Sequence, residues 1–193
     1  MDEDYSNGYE AIAKEFMAVR SNAGRSVVQD WAATVKPDGA VIDIGAGCGE
    51  PLTSALTEAE LAVCAIDASP TMVAAFQRRF PEIEIACEAA ERSEFFGRTF
   101  DAALAVGLIF LLRENTQREL VPRIAKALKP GGKLLFSAPR QACAWNDILT
   151  GRRSLSLGAE EYRRILADVG LKICREFADE GRTYYYEAKK EHD

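Results

Sequence analysis

The stretch AVIDIGAGCGEP, residues 40–51, limits the possible folds of this chain more than any other. Residues 40–44 are mostly apolar and rich in β-branched side chains, and a turn signal at 37–39 precedes them. A short run of this kind predicts a strand that is buried on both faces of a sheet. Three glycines at alternate positions follow it.

These glycines, Gly45, Gly47 and Gly49, predict a loop that connects the strand to a helix. Because glycine has no side chain, the backbone can turn tightly there and a ligand can lie directly against it. Pro51 suits the first turn of the helix, where its missing N–H costs nothing. The loop is therefore expected to direct free backbone N–H groups at a bound small molecule.

The spacing of the glycines distinguishes between classes of ligand. A dinucleotide fingerprint, G-x-G-x-x-G, needs its third glycine where this chain has Glu50. A carboxylate at that position would lie near a pyrophosphate, which disfavours NAD and FAD. A dehydrogenase is accordingly the weaker alternative.

The pattern G-x-G-x-G, with Asp43 two positions before it, resembles motif I of the class I S-adenosylmethionine-dependent methyltransferases. In that family the loop lies along the methionine part of the cofactor, which carries an ammonium group and no phosphate. The likeness continues with Asp67, with FDAALAV at 100–106 and with LKPGGKLLF at 128–136. It extends over residues 40–189 and implies a doubly wound α/β fold. The implied sheet is seven-stranded and mostly parallel, in the order 3-2-1-4-5-7-6, with the last strand antiparallel.

The resemblance also implies a site for S-adenosylmethionine, whose product is S-adenosylhomocysteine. Asp67, at the tip of the second parallel strand, is expected to accept both ribose hydroxyls. An N-terminal lid would contribute an aromatic ring and an arginine, and the third strand end would contact adenine. The expected cofactor residues are Tyr9, Arg20, Asp43, Gly45, Ala46, Gly47, Asp67, Ala68, Glu88, Ala89 and Val106. Glu88 departs from the commoner Gly-Asp-Ala pattern, which leaves its contact open.

Hydrophobic periodicity predicts alternating helices and strands in one domain, residues 1–193. Within it we expect an N-terminal helical cap at 1–35, a cofactor-binding half at 40–137 and an acceptor-side half at 138–193. Helices are expected at 8–20, 24–35, 51–60, 70–79, 115–128 and 158–168. Further strands are expected at 62–66, 83–86 and 99–106, the run at 128–136 is expected to be a turn into a fifth strand, and a hairpin at 171–177 and 183–188 is expected to close the sheet. Residues 138–151 are expected to be irregular.

Composition narrows the class of protein. The chain has 193 residues, 48% of them hydrophobic, and a net charge of −6, which is typical of a soluble globular domain and argues against a large nucleic-acid interface. No apolar run approaches the roughly 18 residues of a membrane span, and no signal-like segment opens the sequence. We therefore expect a cytoplasmic protein. Its five cysteines form no CxxC pair and predict reduced thiols.

The sequence assigns no catalytic residue. The single histidine is His192, in the polar tail, which excludes a histidine-based triad, metal site or proton relay. The segment at 107–110, where related enzymes present the acceptor, has no polar side chain, and this argues against methylation of DNA amines. Candidate general bases, each with a packing or surface role as the alternative, are Tyr9, Asp147, Asp179, Glu180 and the run Tyr184–Tyr186.

The expected activity is methyl transfer to an oxygen, nitrogen or sulfur atom of a small-molecule acceptor. Two alternatives stay open: a methyltransferase that acts on RNA or protein, and a cofactor-binding protein without catalysis. Neither the acceptor nor the oligomeric state follows from the sequence.

Overall fold

The computed structural model describes residues 4–192. Within these residues, nine strands form in chain order: β1 (Ala40–Ile44), β2 (Ala62–Asp67), β3 (Glu84–Cys87), β4 (Phe100–Ala105), β5 (Leu128–Ser137), β6 (Cys143–Asn146), β7 (Arg153–Ser156), β8 (Leu171–Ala178) and β9 (Tyr184–Lys190). The α-helices are α1 (Ala13–Ala18), α2 (Arg25–Ala32), α3 (Leu52–Glu58), α4 (Pro70–Arg79), α5 (Glu114–Ala127) and α6 (Ala159–Asp168). Short 3₁₀ helices lie at Glu10–Ile12, Phe95–Gly97 and Ile109–Leu111. No helix among residues 4–192 combines the length and the apolar character that crossing a membrane requires.

The central sheet has seven strands in the order β3-β2-β1-β4-β5-β9-β8. The five strands from β1 to β5 pair in parallel, and β9 runs antiparallel to both β5 and β8. The predicted strand order is confirmed, since β9 and β8 are the seventh and sixth strands of this sheet along the chain. The order reverses at β1, which lies between β2 and β4, and ligands of such sheets bind at the carboxyl ends of the strands near this reversal.

Alternate residues of the strands pack against the helices on opposite faces of the sheet. On β1, Val41 faces the cluster formed with α2 and α3, whereas Ile42 and Ile44 face the cluster formed with α5 and α6. On β5, Leu135 and Phe136 divide in the same way. The strands are continuous apolar runs in the sequence because helices cover both faces of this parallel sheet.

Two predicted elements differ from the structure. The predicted helix at 8–20 is a 3₁₀ turn at Glu10–Ile12 followed by the short helix α1. The segment 138–151 is not wholly irregular, because β6 pairs with β7 in a small antiparallel hairpin outside the main sheet. That hairpin packs on the 3₁₀ helix at Ile109–Leu111, with Trp145 against Phe110. A long-range contact of this kind leaves no local periodicity in the sequence.

Candidate functional site

A cavity of about 230 Å³ lies at the carboxyl ends of β1 to β4, beside the glycine loop. The N-terminal segment and the chain that follows β4 complete its wall. Nine of the predicted cofactor residues line it: Tyr9, Arg20, Gly45, Ala46, Gly47, Asp67, Ala68, Glu88 and Val106. The other two, Asp43 and Ala89, are buried and are not among the described residues that line this cavity.

The glycine loop presents open backbone to the cavity at one position. A Cβ atom built on Gly47 would meet nothing within 4 Å, whereas one built on Gly45 would lie 3.2 Å from Leu108. A Cβ on Gly49 would overlap the ring of Phe80. The last glycine is thus required for packing, and the middle one leaves room for a ligand.

The N–H groups of residues 45–47 are not free, which contradicts the expectation from the sequence. Gly45 and Ala46 donate to the carbonyl oxygen of Ile66 at 2.9 and 3.1 Å, and Gly47 donates to Oδ2 of Asp67 at 2.8 Å. The reason is that the parallel neighbour β2 ends beside the loop and supplies acceptors. Residues 45–47 therefore offer no set of free N–H donors to a phosphate. Pro51 also precedes α3 instead of lying in its first turn.

The carboxylate of Asp67 is held from two sides. Besides the N–H of Gly47, the N–H of Ser69 donates to its Oδ1 at 2.8 Å. Burial raises the pKa of Asp67, and these two backbone hydrogen bonds oppose the rise. Each oxygen keeps further acceptor capacity, so this carboxylate can bind the hydroxyls of a ligand while its orientation stays fixed.

Asp43 lies behind the loop and not on the cavity surface. It is 2% exposed, and the hydroxyl of Thr53 donates to its Oδ2 at 2.6 Å. Burial raises the pKa of Asp43 to about 6; the Thr53 hydrogen bond lowers it and the nearby Asp67 raises it further. Asp43 is therefore not placed for direct contact with a ligand in the cavity.

The N-terminal segment covers one side of the cavity. The ring of Tyr9 meets that of Phe16 edge to face, with centroids 5.1 Å apart. The guanidinium of Arg20 lies 5.2 Å from the Phe16 centroid and donates from Nε to the carbonyl oxygen of Glu50 at 3.0 Å. These contacts bring a phenol and a cation to the loop from a part of the chain that precedes the sheet.

Only some of the candidate bases come together at the site. Tyr9 lines the cavity, and its hydroxyl donates to Oδ2 of Asp147 at 3.1 Å. Asp179 instead accepts the hydroxyl of Tyr185 at the β8–β9 turn. The other candidate bases do not line the described cavity: Asp147, Asp179, Glu180 and the run Tyr184–Tyr186. Burial raises the pKa of Tyr9 to about 12, and the charge of Asp147 and the hydrogen bond to it act in the same direction.

Several lining residues were missed from the sequence. The apolar wall comprises Leu108, Phe110, Leu111 and Leu112, and the N-terminal wall adds Tyr5, Ser6 and Asn7. The first group directly follows β4, so its place after a parallel strand was a signal for it. Nothing in the local pattern marks the second group. The side-chain amide nitrogen of Asn7 is buried and has no hydrogen-bond partner among the described residues.

Comparison with known proteins identifies the domain. Residues 41–132 match the profile of a family described as "Methyltransferase domain". This chain carries a methyltransferase domain at residues 41–132. Its matched part contains the glycine loop, Asp67 and the strand ends that form the cavity. A curated relative, demethylmenaquinone methyltransferase of Renibacterium salmoninarum, is 30% identical over 143 residues. That alignment covers 72% of this chain and 58% of the relative, so this chain spans less than two thirds of the relative's length.

Solved structures resemble this chain over nearly its whole length. The 1,6-didemethyltoxoflavin-N1-methyltransferase of Burkholderia thailandensis, with bound 1,6-didemethyltoxoflavin and S-adenosylhomocysteine, has a TM-score of 0.75 at 18% identity and covers 99% of this chain and 92% of its own. The cyclase SpnF has a TM-score of 0.77 at 16% identity, with 98% and 97% covered. At these identities the likeness concerns the fold, which is the Rossmann-like methyltransferase fold.

Proposed function

We propose that this protein transfers the methyl group of S-adenosylmethionine to an oxygen, nitrogen or sulfur atom of a small-molecule acceptor and releases S-adenosylhomocysteine. One observation carries the proposal: the cavity is open in front of Gly47, and the carboxylate of Asp67 is fixed beside this opening. The backbone nitrogen of Gly47 donates to Oδ2 of Asp67 at 2.8 Å. When bound, the cofactor supplies an electrophilic methyl group on a sulfonium ion. The remaining chemistry is done by the residues of the chain.

The cavity residues fit the parts of this cofactor. Asp67 would accept the ribose hydroxyls, and the open space in front of Gly47 would receive the methionine part. The negative charge of Asp43 favours its ammonium group, and Arg20, which lines the same cavity, would attract its carboxylate. Glu88 and the neighbouring Ala89 would border the adenine. Because S-adenosylmethionine has no phosphate, it needs no set of free N–H donors. This agrees with the loop, whose N–H groups at residues 45–47 already have acceptors.

The acceptor would enter beside the apolar wall at 108–112 and under the N-terminal segment. Such a wall excludes water and aligns the attacking atom with the methyl group, which is most of what this displacement requires. A cavity of about 230 Å³ favours a small acceptor over RNA or protein, and the net charge of −6 also disfavours nucleic acid. We place the protein in the cytoplasm, because its five cysteines carry free thiols.

A second candidate is a protein that binds the cofactor without transferring its methyl group. It is favoured by the fold likeness to the cyclase SpnF, whose name describes a different reaction. The formation of S-adenosylhomocysteine from S-adenosylmethionine, measured by mass spectrometry with a panel of phenols, amines and thiols, separates the two candidates.

Binding is tested first by titration calorimetry. S-adenosylmethionine and S-adenosylhomocysteine should bind with micromolar dissociation constants, roughly −8 kcal/mol, and NAD should not bind. Gly47→Ala should abolish binding because its methyl group would occupy the ligand's place. Gly97→Ala is the matched control, since Gly97 also has a positive φ (62°, against 59° for Gly47) and open space at its Cβ position but does not line the cavity. Equal affinity in the two variants, or binding of NAD alone, would refute the proposal.

A further inference from the structure

The carboxylate of Glu10 ties the N-terminal segment to the turn between β2 and α4. Its Oε1 accepts the hydroxyl of Thr71 at 2.7 Å, and its Oε2 accepts the N–H of Thr71 at 3.1 Å and the hydroxyl of Ser69. Hydrogen bonds from Ser69 and Thr71 lower the pKa of Glu10, so the carboxylate is ionised at neutral pH. Glu10 directly follows Tyr9, which lines the cavity.

The same turn holds the carboxylate of Asp67. Ser69 donates its N–H to Oδ1 of Asp67 at 2.8 Å and its hydroxyl to Glu10, and the same hydroxyl oxygen accepts the N–H of Met72 at 3.1 Å as the N-cap of α4. Ser69 is 1% exposed, so water does not replace these partners. One buried residue therefore connects a carboxylate of the N-terminal segment to a carboxylate of the cavity.

We propose that Glu10 is a positioning residue for cofactor binding. By fixing Ser69 and Thr71, it sets the orientation in which Asp67 meets the ribose, and it docks the segment that carries Tyr9 in the same step. This inference rests on the proposed function, because it concerns the same cavity. Under this proposal, one hydrogen-bonded cluster, residues 10, 67, 69 and 71, controls both the recognition of the ribose and the closure of the N-terminal segment.

A purely stabilising role makes a different prediction. A negative charge near the N-terminus of a helix such as α4 is favourable in itself. If that were its only effect, loss of Glu10 would lower the free energy of unfolding and leave the affinity of the folded protein for the cofactor unchanged. The two roles are therefore separated by measuring stability and affinity on the same variants.

The experiment uses the full chain and S-adenosylhomocysteine as the probe, in titration calorimetry. Glu10→Ala should raise the dissociation constant roughly tenfold, and Glu10→Gln, which keeps one acceptor oxygen, should restore part of the affinity. Thr71→Val removes one of the donors and should raise the constant roughly threefold, which keeps the test available if Glu10→Ala does not fold. Glu15→Ala is the control, an exposed glutamate in the same segment, and should bind like the wild type.

A double-variant cycle with Asp67→Ala identifies the route of the effect. If Glu10 acts through the turn that holds Asp67, Glu10→Ala should cost much less affinity in the Asp67→Ala background than in the wild type. Full additivity in this cycle, or wild-type affinity in folded Glu10→Ala, overturns the inference and leaves the proposed function in place. A wild-type protein that binds no S-adenosylhomocysteine removes both.

Discussion

The hydroxyl of Tyr9 donates a hydrogen bond to Oδ2 of Asp147 at 3.1 Å, although 138 positions separate the two residues in the chain. Tyr9 belongs to the segment before the sheet, and Asp147 belongs to the connection between β6 and β7. The side chain of Asp147 also accepts the N–H groups of Leu149 and Thr150, at 2.9 and 3.0 Å, which fixes it on the hairpin. The contact thus joins the N-terminal wall of the cavity to the β6–β7 hairpin, whose residues are not part of the described lining.

We expect Tyr9→Phe to weaken this junction without removing the ring. The edge-to-face contact with Phe16 would remain, and the loss of one partly buried hydrogen bond to a charged group should lower the free energy of unfolding by about 1.5–3 kcal/mol at most. Asp147→Asn should cost less, since its amide oxygen can still accept the N–H groups of Leu149 and Thr150 while its amide N–H donates to the Tyr9 hydroxyl oxygen. Urea denaturation of the two single variants and the double variant measures the coupling. A coupling energy of zero would show that the bond contributes nothing in solution.

The buried carboxyl of Asp43 should make stability fall as the pH rises. Its pKa is about 6 in the folded protein against 3.8 for an ordinary aspartate, because burial disfavours the charged form. The protonated carboxyl is tolerated below about pH 4, and ionisation between about pH 4 and 6 costs up to about 3 kcal/mol, as an order of magnitude. Asp43→Asn removes this cost and should be more stable than the wild type at pH 7. The difference between the two proteins should vanish near pH 4, as measured by urea denaturation. A pH-independent difference would contradict the assignment.

Asp101, at the opposite end of the sheet, should have the opposite effect. Partial burial raises its pKa, but hydrogen bonds from Lys36 and Lys129 and from the N–H of Ala40 outweigh this and lower the pKa to about 2. Its contribution to stability is therefore present above about pH 4 and lost as the pH falls toward 2. Asp101→Asn should cost about 1–2 kcal/mol at pH 7, after allowance for solvent screening of the lysines. The two proteins should converge near pH 2; a constant difference would mean that the ion pairs contribute little.

The N-terminal segment should become more protected when the ligand binds. Phe16 and Met17 pack, together with Ala13, on a small apolar cluster that includes Met72 of α4 and Cys48 of the glycine loop. So small a contact area should open more readily than the main core. Hydrogen exchange on residues 4–20 should therefore slow when S-adenosylhomocysteine is added, while exchange in β8 and β9 stays constant. Equal exchange in the segment with and without ligand would show that it is a fixed cover.

Deletion of residues 1–20 offers a complementary test of the same segment. We expect the sheet to stay folded, because its two main clusters do not include this segment. Affinity for S-adenosylhomocysteine should fall, because Tyr9, Glu10 and Arg20 would be lost together. Circular dichroism and calorimetry on the shortened protein measure the two effects separately. Retained affinity in the folded shortened protein would contradict a role in binding.

The sequence alone determined the sheet and the centre of the site. The strands could be predicted because both faces of a parallel sheet are buried, so each strand is a short apolar run in the sequence. Gly47 and Asp67 could be placed side by side because the carboxyl ends of neighbouring parallel strands meet at one edge. Their proximity follows from the strand order that the motifs implied, whereas the hydrogen bond between them was not expected.

Only the tertiary structure determined the hydrogen-bond partners and the side chains that form the walls of the cavity. The N–H groups of residues 45–47 donate to Ile66 and Asp67. Trp145 of the β6–β7 hairpin packs against Phe110. The carboxylate of Glu10 accepts hydrogen bonds from Ser69 and Thr71. Each of these contacts joins segments that are distant in the chain, and none changes the local periodicity of the residues involved. Local patterns record which residues prefer to be buried or to turn. The choice of partner for each polar group is made only when the segments are packed together, because every buried donor and acceptor must then be satisfied by whatever lies within reach.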